Sequence, residues 1–221
     1  MNADKTARLI LPELLDHAPP VDALPSLRDL VRINRFLGGY RTLRWLMRQV
    51  ANPSDSFSLL DIGSASGDMG RVIRQSFPRA SVTSFDYRWD HLAGAASPKL
   101  VGDAFALPFA KSSFDFVFSS LFLHHFEDNQ VVDLLNRFAG VARKAVLAID
   151  LERGPLAYRF IPATKWLFGW HPITLHDAPV SVQAAFQRGE LIALAQRAGL
   201  TAATVRVHRP WSRVSLIGVL S

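Results

Sequence analysis

Apolar positions recur with two different rhythms along the chain, and the rhythm changes near residue 55. Before this point, apolar residues recur every three or four positions, which predicts amphipathic helices with arginines on their other faces. From Phe57 onward, short apolar runs alternate with helical patterns, as in a parallel sheet that is buried on both sides. The sequence therefore predicts N-terminal helices over 1–54 and an α/β domain over 55–221.

Short apolar runs predict the strands of that sheet. The predicted strands are 57–62, 81–86, 99–101, 114–118, 145–150, 201–208 and 215–220. The helical patterns between them are 69–76, 90–96, 131–138 and 189–200. Strands that alternate with helices in this way are typical of a parallel sheet with helices on both faces. Ligands of such sheets bind beyond the carboxyl ends of the strands.

Two features organise the N-terminal region. Ser26 and Asp29 have the spacing of a capping box, so a helix is predicted to begin there. Gly38 and Gly39 then interrupt the pattern, and a second amphipathic helix follows over 40–50. Because both helices precede the ligand crevice of the sheet, they are predicted either to cover it as a lid or to brace the sheet.

The segment 156–186 breaks the alternation of strands and helices. It is rich in aromatic residues and proline, and it is too long for a plain connection. We interpret it as an inserted cap on the substrate side of the domain. Its candidate substrate contacts are Tyr158, Trp166, Trp170 and His171.

Composition and charge narrow the possible functions. The chain has no cysteine, which excludes disulfides, thiolate metal sites and a cysteine nucleophile. The net charge of +6 is compatible with nucleic acid or an anionic membrane, although an arginine-rich protein without such a partner is the simpler interpretation. No apolar run is long enough to predict a membrane-spanning helix, and the N-terminus lacks the order of a signal peptide. A cytoplasmic location, with peripheral membrane contact as a variant, is therefore expected.

The stretch FSLLDIGSASGDMG, residues 57–70, carries the first chemical signal. Asp61 ends an apolar run, and a turn of small residues follows it. The small residues considered as ligand contacts are Gly63, Ser64, Ala65 and Gly67. The spacing differs from the G-x-G-x-x-G of dinucleotide turns, and the Gly-Lys-Ser/Thr of a phosphate-binding loop is missing. The turn is therefore predicted to let the backbone approach a ligand that has no pyrophosphate.

This turn resembles the first motif of the class I, Rossmann-like S-adenosylmethionine-dependent methyltransferases, with Ala65 in place of one glycine. GDAFALPF at 102–109 resembles the G-D-A-x-x-L-P-F that follows the third strand in this family. FDFVFSSLFLHHFED at 114–128 resembles the FDxVxSxxxLHHF of members that act on quinones and polyketide-type small molecules. The resemblance covers roughly 58–221, and it implies S-adenosylmethionine as cofactor and an antiparallel last strand.

The resemblance also implies residue roles. Asp61 would bind the amino group of the methionine moiety, Asp103 and Ala104 the adenine, and Ser119 would border the methionine end. Asp86 has the spacing of a ribose-binding acid, about 20 residues after the turn. The further candidates are Tyr87 or Phe105 for stacking on adenine, and Tyr40 and Arg41 for the carboxylate of the cofactor.

His124 and His125 are candidates for a general base, because imidazole titrates near neutral pH. The alternative is a histidine that only packs in the fold. No metal site is predicted on these residues, since neighbouring side chains diverge on a helix or a strand.

Together these features predict methyl transfer to a small, fairly apolar acceptor of phenolic, quinone or polyketide type, at oxygen or carbon. No DNA partner is expected, because the Asn/Asp-Pro-Pro-aromatic signature of base amino methylation is missing. A nicotinamide oxidoreductase would share the fold, but the glycine spacing disfavours it. An RNA methyltransferase that uses the basic N-terminal helices and a non-catalytic partner protein remain alternatives, and the oligomeric state stays open.

Overall fold

A mixed seven-stranded sheet forms the centre of the protein in the computed structural model, which describes residues 7–220. The strands are β1 (Phe57–Ile62), β2 (Ala80–Asp86), β3 (Lys99–Val101), β4 (Phe114–Ser120), β5 (Ala142–Leu151), β6 (Thr204–His208) and β7 (Arg213–Val219). They lie in the order β3-β2-β1-β4-β5-β7-β6. β7 is antiparallel to both of its neighbours, and the other pairs are parallel. The predicted fold class, with its antiparallel last strand, is confirmed.

Helices cover both faces of the sheet. They are α1 (Leu14–His17), α2 (Pro20–Phe36), α3 (Gly39–Met47), α4 (Asp68–Ser76), α5 (Asp128–Val141), α6 (Pro155–Ala163), α7 (Lys165–Phe168), α8 (Pro172–Ala184) and α9 (Arg188–Arg197). Short 3-10 helices lie at His91–Gly94 and Leu123–His125. Within residues 7–220, none of the helices has the length and apolar character needed to cross a bilayer.

The core consists of two apolar layers, one on each face of the sheet. On one face, Val117 of β4 packs in a cluster with Phe138 of α5 and Leu191 of α9. On the other face, Leu147 of β5 packs in a cluster with Leu46 of α3 and Ile73 of α4. Because the central strands are buried on both faces, their sequences are almost continuously apolar, which is why they were recognisable.

The start of α2 corrects one prediction. The helix begins at Pro20, which is favoured in a first turn because proline has no N–H to leave unpaired. Ser26 therefore lies inside the helix, and its hydroxyl is 3.0 Å from Thr174 Oγ1. The Asp29 carboxylate accepts a hydrogen bond from the His171 N–H at 2.7 Å. Both polar residues connect α2 to the segment that contains α8, so the predicted capping box is wrong.

The N-terminal helices occupy two different positions. α3 packs against α4 and the sheet, which is the position of a brace. α1 and α2 instead contact α8. Asp177 of α8 accepts hydrogen bonds from the N–H groups of Leu14 and Leu15, at 2.9 and 3.0 Å. Residues 1–6 of the predicted N-terminal region, and residue 221, lie outside the described residues.

Candidate active site

A cavity of about 750 Å³ lies at the carboxyl edge of the sheet. Its floor contains Ile62 and Gly63 after β1, Asp86 at the end of β2, and Leu151 at the end of β5. α1, α2, α6 and α8 contribute its walls and roof. This is the edge at which open α/β sheets bind ligands, and the volume falls within the usual range for small-molecule sites.

The turn after β1 shapes one end of the cavity. Gly63, Ala65 and Gly67 adopt positive φ angles of 66°, 43° and 68°. A Cβ on Gly67 would lie 2.7 Å from Ala95 Cβ and 2.9 Å from Ala95 Cα, so both conformation and space favour glycine there. Gly63 and Ala65 line the cavity. The small residues thus allow the backbone to approach a ligand closely.

Asp86 connects this turn to β2. One carboxylate oxygen accepts a hydrogen bond from the Ala65 N–H at 2.8 Å, and the other accepts from the Arg88 N–H at 3.0 Å. Asp86 also lines the cavity. Each carboxylate oxygen can accept a second hydrogen bond, so both remain available to hydroxyl groups. The position therefore suits the ribose contact that the spacing predicted.

The candidate adenine contacts lie at the same end. Tyr87, Asp103, Ala104 and Phe105 all line the cavity. Asp103 accepts a hydrogen bond from the Phe105 N–H at 2.8 Å, which fixes the turn after β3. The ring of Phe105 packs edge-on against Phe126, with centroids 5.4 Å apart. The structure thus brings these four residues together with Asp86.

Four other predicted cofactor contacts are buried behind the cavity wall. They are Asp61, Ser64, Gly67 and Ser119. Burial, with the charges of Asp68 and Asp86, raises the pKa of the Asp61 carboxyl well above its usual value. Asp61 Oδ2 lies beneath the first turn of α4, 3.5 Å from the point where a Cβ on Gly70 would stand. The structure therefore places Asp61 under the turn and not on its ligand side.

Tyr40 and Arg41 do not line the cavity, which corrects their predicted position. Tyr40 packs in the apolar cluster between α3 and the sheet. Its burial, together with Asp68, raises the pKa of the Tyr40 hydroxyl to about 12. Arg41 lies on the exposed face of α3. Because α3 packs on the sheet, Tyr40 in its first turn faces the core, and Arg41 faces solvent.

The aromatic candidates of 156–186 also lie outside the cavity wall. Trp166 is 92% exposed. Trp170 is buried, and the guanidinium of Arg32 on α2 lies 4.8 Å from its ring centroid. These contacts attach the segment to α2. The residues that this segment contributes to the cavity are Leu156, Ala157, Phe160, Ile161, Thr174, Asp177, Ala178, Ser181 and Val182, whereas Tyr158, Trp166, Trp170 and His171 are not among them.

His124 lies between two carboxylates. Its Nδ1 is 2.6 Å from Asp150 Oδ1, and its Nε2 is 3.4 Å from Glu13 Oε1. Burial lowers the pKa of the His124 imidazole, but the carboxylates of Asp150 and Glu13 outweigh this effect and raise it to about 10. The ring therefore carries a proton on Nδ1 and on Nε2 at neutral pH, and it has no free lone pair with which to accept another proton. This protonated state argues against a general base at His124, and the role of this residue stays a prediction.

His125 lies beside it in the cavity wall. The two imidazole rings stack, with centroids 4.4 Å apart and an interplanar angle of 27°. The expectation that these side chains diverge is therefore wrong. Ligand atoms of Glu13, His124 and His125 lie within 4.8 Å of one another. Because metal ligation needs an unprotonated imidazole nitrogen, the protonated state of His124 opposes a metal at this cluster.

The ion pairs of His124 predict a stability profile. The pKa of His124 is raised from 6.5 to about 10, so its stabilising contribution is complete below pH 6.5 and is lost as the pH rises through 10. We expect the free energy of unfolding to fall by several kcal/mol over this range, on the order of one to two per pKa unit. Urea unfolding at several pH values measures the profile. A His124→Gln variant should give a flatter curve, and curves of equal slope would contradict the assignment.

Several residues that line the cavity were not predicted from the sequence, among them the ionisable residues Glu13, Asp16, His91 and Arg213. Asp16 Oδ2 lies 3.4 Å from His125 Nδ1, and Glu13 pairs with His124. Burial lowers the pKa of His91, whose Nε2 has no hydrogen-bond partner within the described part of the chain. These contacts join positions far apart in sequence, so local patterns gave no signal for them.

A family model described as a methyltransferase domain matches residues 60–150. The ubiquinone/menaquinone biosynthesis C-methyltransferase UbiE of Desulfotalea psychrophila is 30% identical over 116 residues. That alignment covers 48% of this chain and 46% of the relative, so the match spans about half the length of the relative.

Solved structures of methyltransferases share the fold. A SAM-dependent methyltransferase from Aquifex aeolicus has a TM-score of 0.62 at 13% identity, covering 92% of this chain and 100% of that one. The plantazolicin methyltransferase BpumL, in complex with a monoazolic desmethylPZN analog and SAH, has a TM-score of 0.65 at 13% identity. This likeness covers 90% of the present chain and 88% of BpumL. At these identities the comparisons establish the fold.

The family match runs from β1 to the end of β5 and contains the glycine turn, Asp86 and both histidines. Residues 60–150 therefore match a methyltransferase domain, and the strand order is that of the fold which the resemblance implied. The family match and the fold support S-adenosylmethionine as the cofactor.

Proposed function

We propose that this chain, which carries a class I methyltransferase domain, transfers a methyl group from S-adenosylmethionine to a small, apolar acceptor. The observation that supports this proposal most strongly is the division of the cavity into two unlike ends. Polar groups and a close backbone approach lie at the ends of β1, β2 and β3. Apolar side chains from α2, α6 and α8 form the other end.

The first end fits the cofactor. Asp86 offers two carboxylate oxygens to the ribose hydroxyls, and Asp103 lies where the adenine amino group would be bound. A Cβ on Gly63 would lie 2.5 Å from the ring of Phe122, so glycine allows Phe122 to pack against the turn at this end of the cavity. We assign this end to the cofactor on the basis of these contacts.

When bound, S-adenosylmethionine supplies an electrophilic methyl group on a good leaving group. The residues of the chain have to align the acceptor with that methyl group and exclude water, since alignment is the main requirement of such a displacement. α1, α2 and α8 roof the cavity and provide this exclusion. Arg8 holds the roof in place by donating to the carbonyl oxygens of Ala184 and Phe126, at 2.8 and 2.9 Å.

Proton removal is needed only where the acceptor atom carries a proton. His125 lines the cavity and has 23% of its side chain exposed, so it can meet a bound acceptor. We assign the general-base role to His125 for such acceptors. Protonated His124 and its partners Asp150 and Glu13 fix the orientation of the stacked ring beside it.

The second end favours a phenolic, quinone-like or polyketide-like acceptor. Its wall includes Ile33, Leu37, Phe160 and Trp211, which match the flat apolar body of such molecules. The similarity to a ubiquinone/menaquinone biosynthesis C-methyltransferase agrees with this acceptor class. Methylation at carbon or at oxygen is consistent with the site.

Calorimetric titration with S-adenosylhomocysteine tests the proposal. We expect wild type to bind and Asp86→Ala to bind more weakly by about 1–3 kcal/mol, because the ribose hydroxyls and the Ala65 N–H lose an acceptor. Asp133→Ala is the control, since Asp133 lies on α5 and pairs with Arg137 at the surface, outside the cavity wall. Wild type that fails to bind S-adenosylhomocysteine would contradict the cofactor assignment. Equal weakening in both variants would contradict the role of Asp86.

The predicted cytoplasmic location and peripheral membrane contact remain predictions. Trp166 and Leu167 on α7 are 92% and 77% exposed, beside Lys165. This surface would suit an anionic membrane. Co-sedimentation with anionic vesicles measures the contact. If the fraction of the protein in the supernatant is the same with and without vesicles, the result would contradict the contact.

A further inference from the structure

Arg213, the first residue of β7, is a fully buried arginine with few hydrogen-bond partners among the described residues. Arg213 is 1% exposed, and it lines the cavity. One nitrogen donates to Asn34 Oδ1 at 3.4 Å, whereas Nε and Nη1 have no hydrogen-bond partner among residues 7–220. Burial lowers the pKa of Arg213 to about 10, with Asp150 and Asp68 opposing the decrease. The guanidinium is therefore still charged at neutral pH.

A buried cation with free donors is costly for a fold unless something compensates it. An arginine offers five N–H donors in a planar fork, and a carboxylate matches two of them at once. Asp150, which is close enough to affect the charge of Arg213, is already bonded to His124 and to the Leu151 N–H. Asp68 accepts its hydrogen bond from Asn34 at 3.2 Å. The neighbouring acids are thus engaged in other hydrogen bonds, and Arg213 is part of the cavity lining.

The position of Arg213 on the sheet indicates which ligand it meets. The polar contacts proposed for the cofactor lie at the ends of β1, β2 and β3. Arg213 pairs with Leu151 across β5 and β7, beyond β4 in the strand order. Its neighbours in the cavity wall are the apolar residues Leu151 and Trp211. The backbone of Arg213 therefore lies at the acceptor end of the cavity, and its guanidinium extends from there towards Asn34, which is bonded to Asp68 after the glycine turn.

We infer that Arg213 anchors a carboxylate of the methyl acceptor, so that the acceptor is an apolar acid held by its charged end. This inference rests on the proposed function, because it deepens the assignment of the acceptor end. The apolar wall receives the body of the molecule, and the bidentate ion pair fixes its orientation. An arginine is suited to this task because its fork is rigid and always charged.

The test compares Arg213→Met, which keeps an unbranched apolar stem but removes the guanidinium and its charge, with wild type. The probes are 4-phenylbutanoate, its primary amide, S-adenosylhomocysteine and the decarboxylated analogue of S-adenosylhomocysteine. Arg209→Met is the matched control, because Arg209 belongs to the same β6–β7 turn but pairs with Glu152 at the surface. Each variant is measured by calorimetry, and its melting temperature is measured without ligand.

We expect wild type to bind the acid more tightly than the amide, and Arg213→Met to lose at least tenfold in affinity for the acid only. Its melting temperature should rise by about 2–4 °C or more, because an uncompensated buried charge has been removed. Arg209→Met should behave as wild type. These results would support the anchor.

Other results would overturn the inference. If Arg213→Met weakens S-adenosylhomocysteine but not its decarboxylated analogue, the carboxylate belongs to the cofactor. If no probe is affected and the melting temperature falls, Arg213 is structural. If wild type binds the acid through Arg213 but does not bind S-adenosylhomocysteine, the proposed function fails and the anion site stands alone.

Discussion

Replacing Asp150 by alanine is expected to lower the free energy of unfolding by about 3–5 kcal/mol at neutral pH, because it breaks a buried ion pair on one side only. The His124 imidazolium would keep Glu13 as its remaining partner at 3.4 Å. The N–H groups of Leu151 and His124 donate hydrogen bonds to the Asp150 carboxylate at 2.8 and 3.2 Å, and both would lose this acceptor. Urea unfolding followed by circular dichroism gives the free energy directly.

Asp150→Asn is the matched control for this prediction. The amide keeps the size of the side chain and one oxygen acceptor, but it removes the charge. We expect a smaller loss than for alanine, about 1–3 kcal/mol. A loss below about 1 kcal/mol in Asp150→Ala would mean that the cluster of Glu13, His124 and Asp150 contributes little to the stability of the native protein.

Gly67→Ala is expected to damage both the fold and the binding of S-adenosylhomocysteine. The residue has a φ of 68°, where a Cβ costs about 1–2 kcal/mol. The added Cβ would also lie 2.9 Å from Ala95 Cα, so the chain has to move. We expect the free energy of unfolding to fall by at least about 2 kcal/mol. Because the shift displaces the turn that Asp86 holds, calorimetry should show at least tenfold weaker binding.

Gly140→Ala is the control, since it makes the same chemical change near the end of α5. A Cβ there would meet nothing within 4 Å. Alanine is the better helix former, so this variant should be as stable as wild type or more stable, by up to about 1 kcal/mol. Similar losses in both variants would contradict the special requirement for glycine at position 67.

The sequence predicted the sheet well because its central strands are buried on both faces. The bounds of β1 and β3 agree with the predicted 57–62 and 99–101. β5 begins three residues earlier than predicted, at Ala142, where Arg143 and Lys144 lie on the exposed first part of the strand. Apolar runs in a sequence mark only the buried part of a strand. A strand that extends into solvent is therefore predicted to be shorter than it is.

The candidate site was predictable only where its residues follow one another along the chain. The turn at 63–67 and Asp86 are tied to strand ends, and the sequence shows both. Arg213 is one of many arginines, and its burial depends on Asn34 of α2 and on the partners of β7. Glu13 reaches His124 only because α1 packs on α8. Contacts of this kind have no local signal.

The helices that wall and roof the cavity, α1, α2, α6 and α8, come from parts of the chain outside the matched domain. The family match ends at residue 150, whereas Leu30, Phe160 and Arg213 lie on α2, α6 and β7. On the proposed assignment, the residues that select the acceptor and the residues that bind the cofactor lie on different segments of the chain. Selection can then reshape what the protein recognises by substituting residues on the helices of the roof, while the catalytic scaffold beneath them stays unchanged. Relatives with a shared scaffold are thus free to specialise on different molecules.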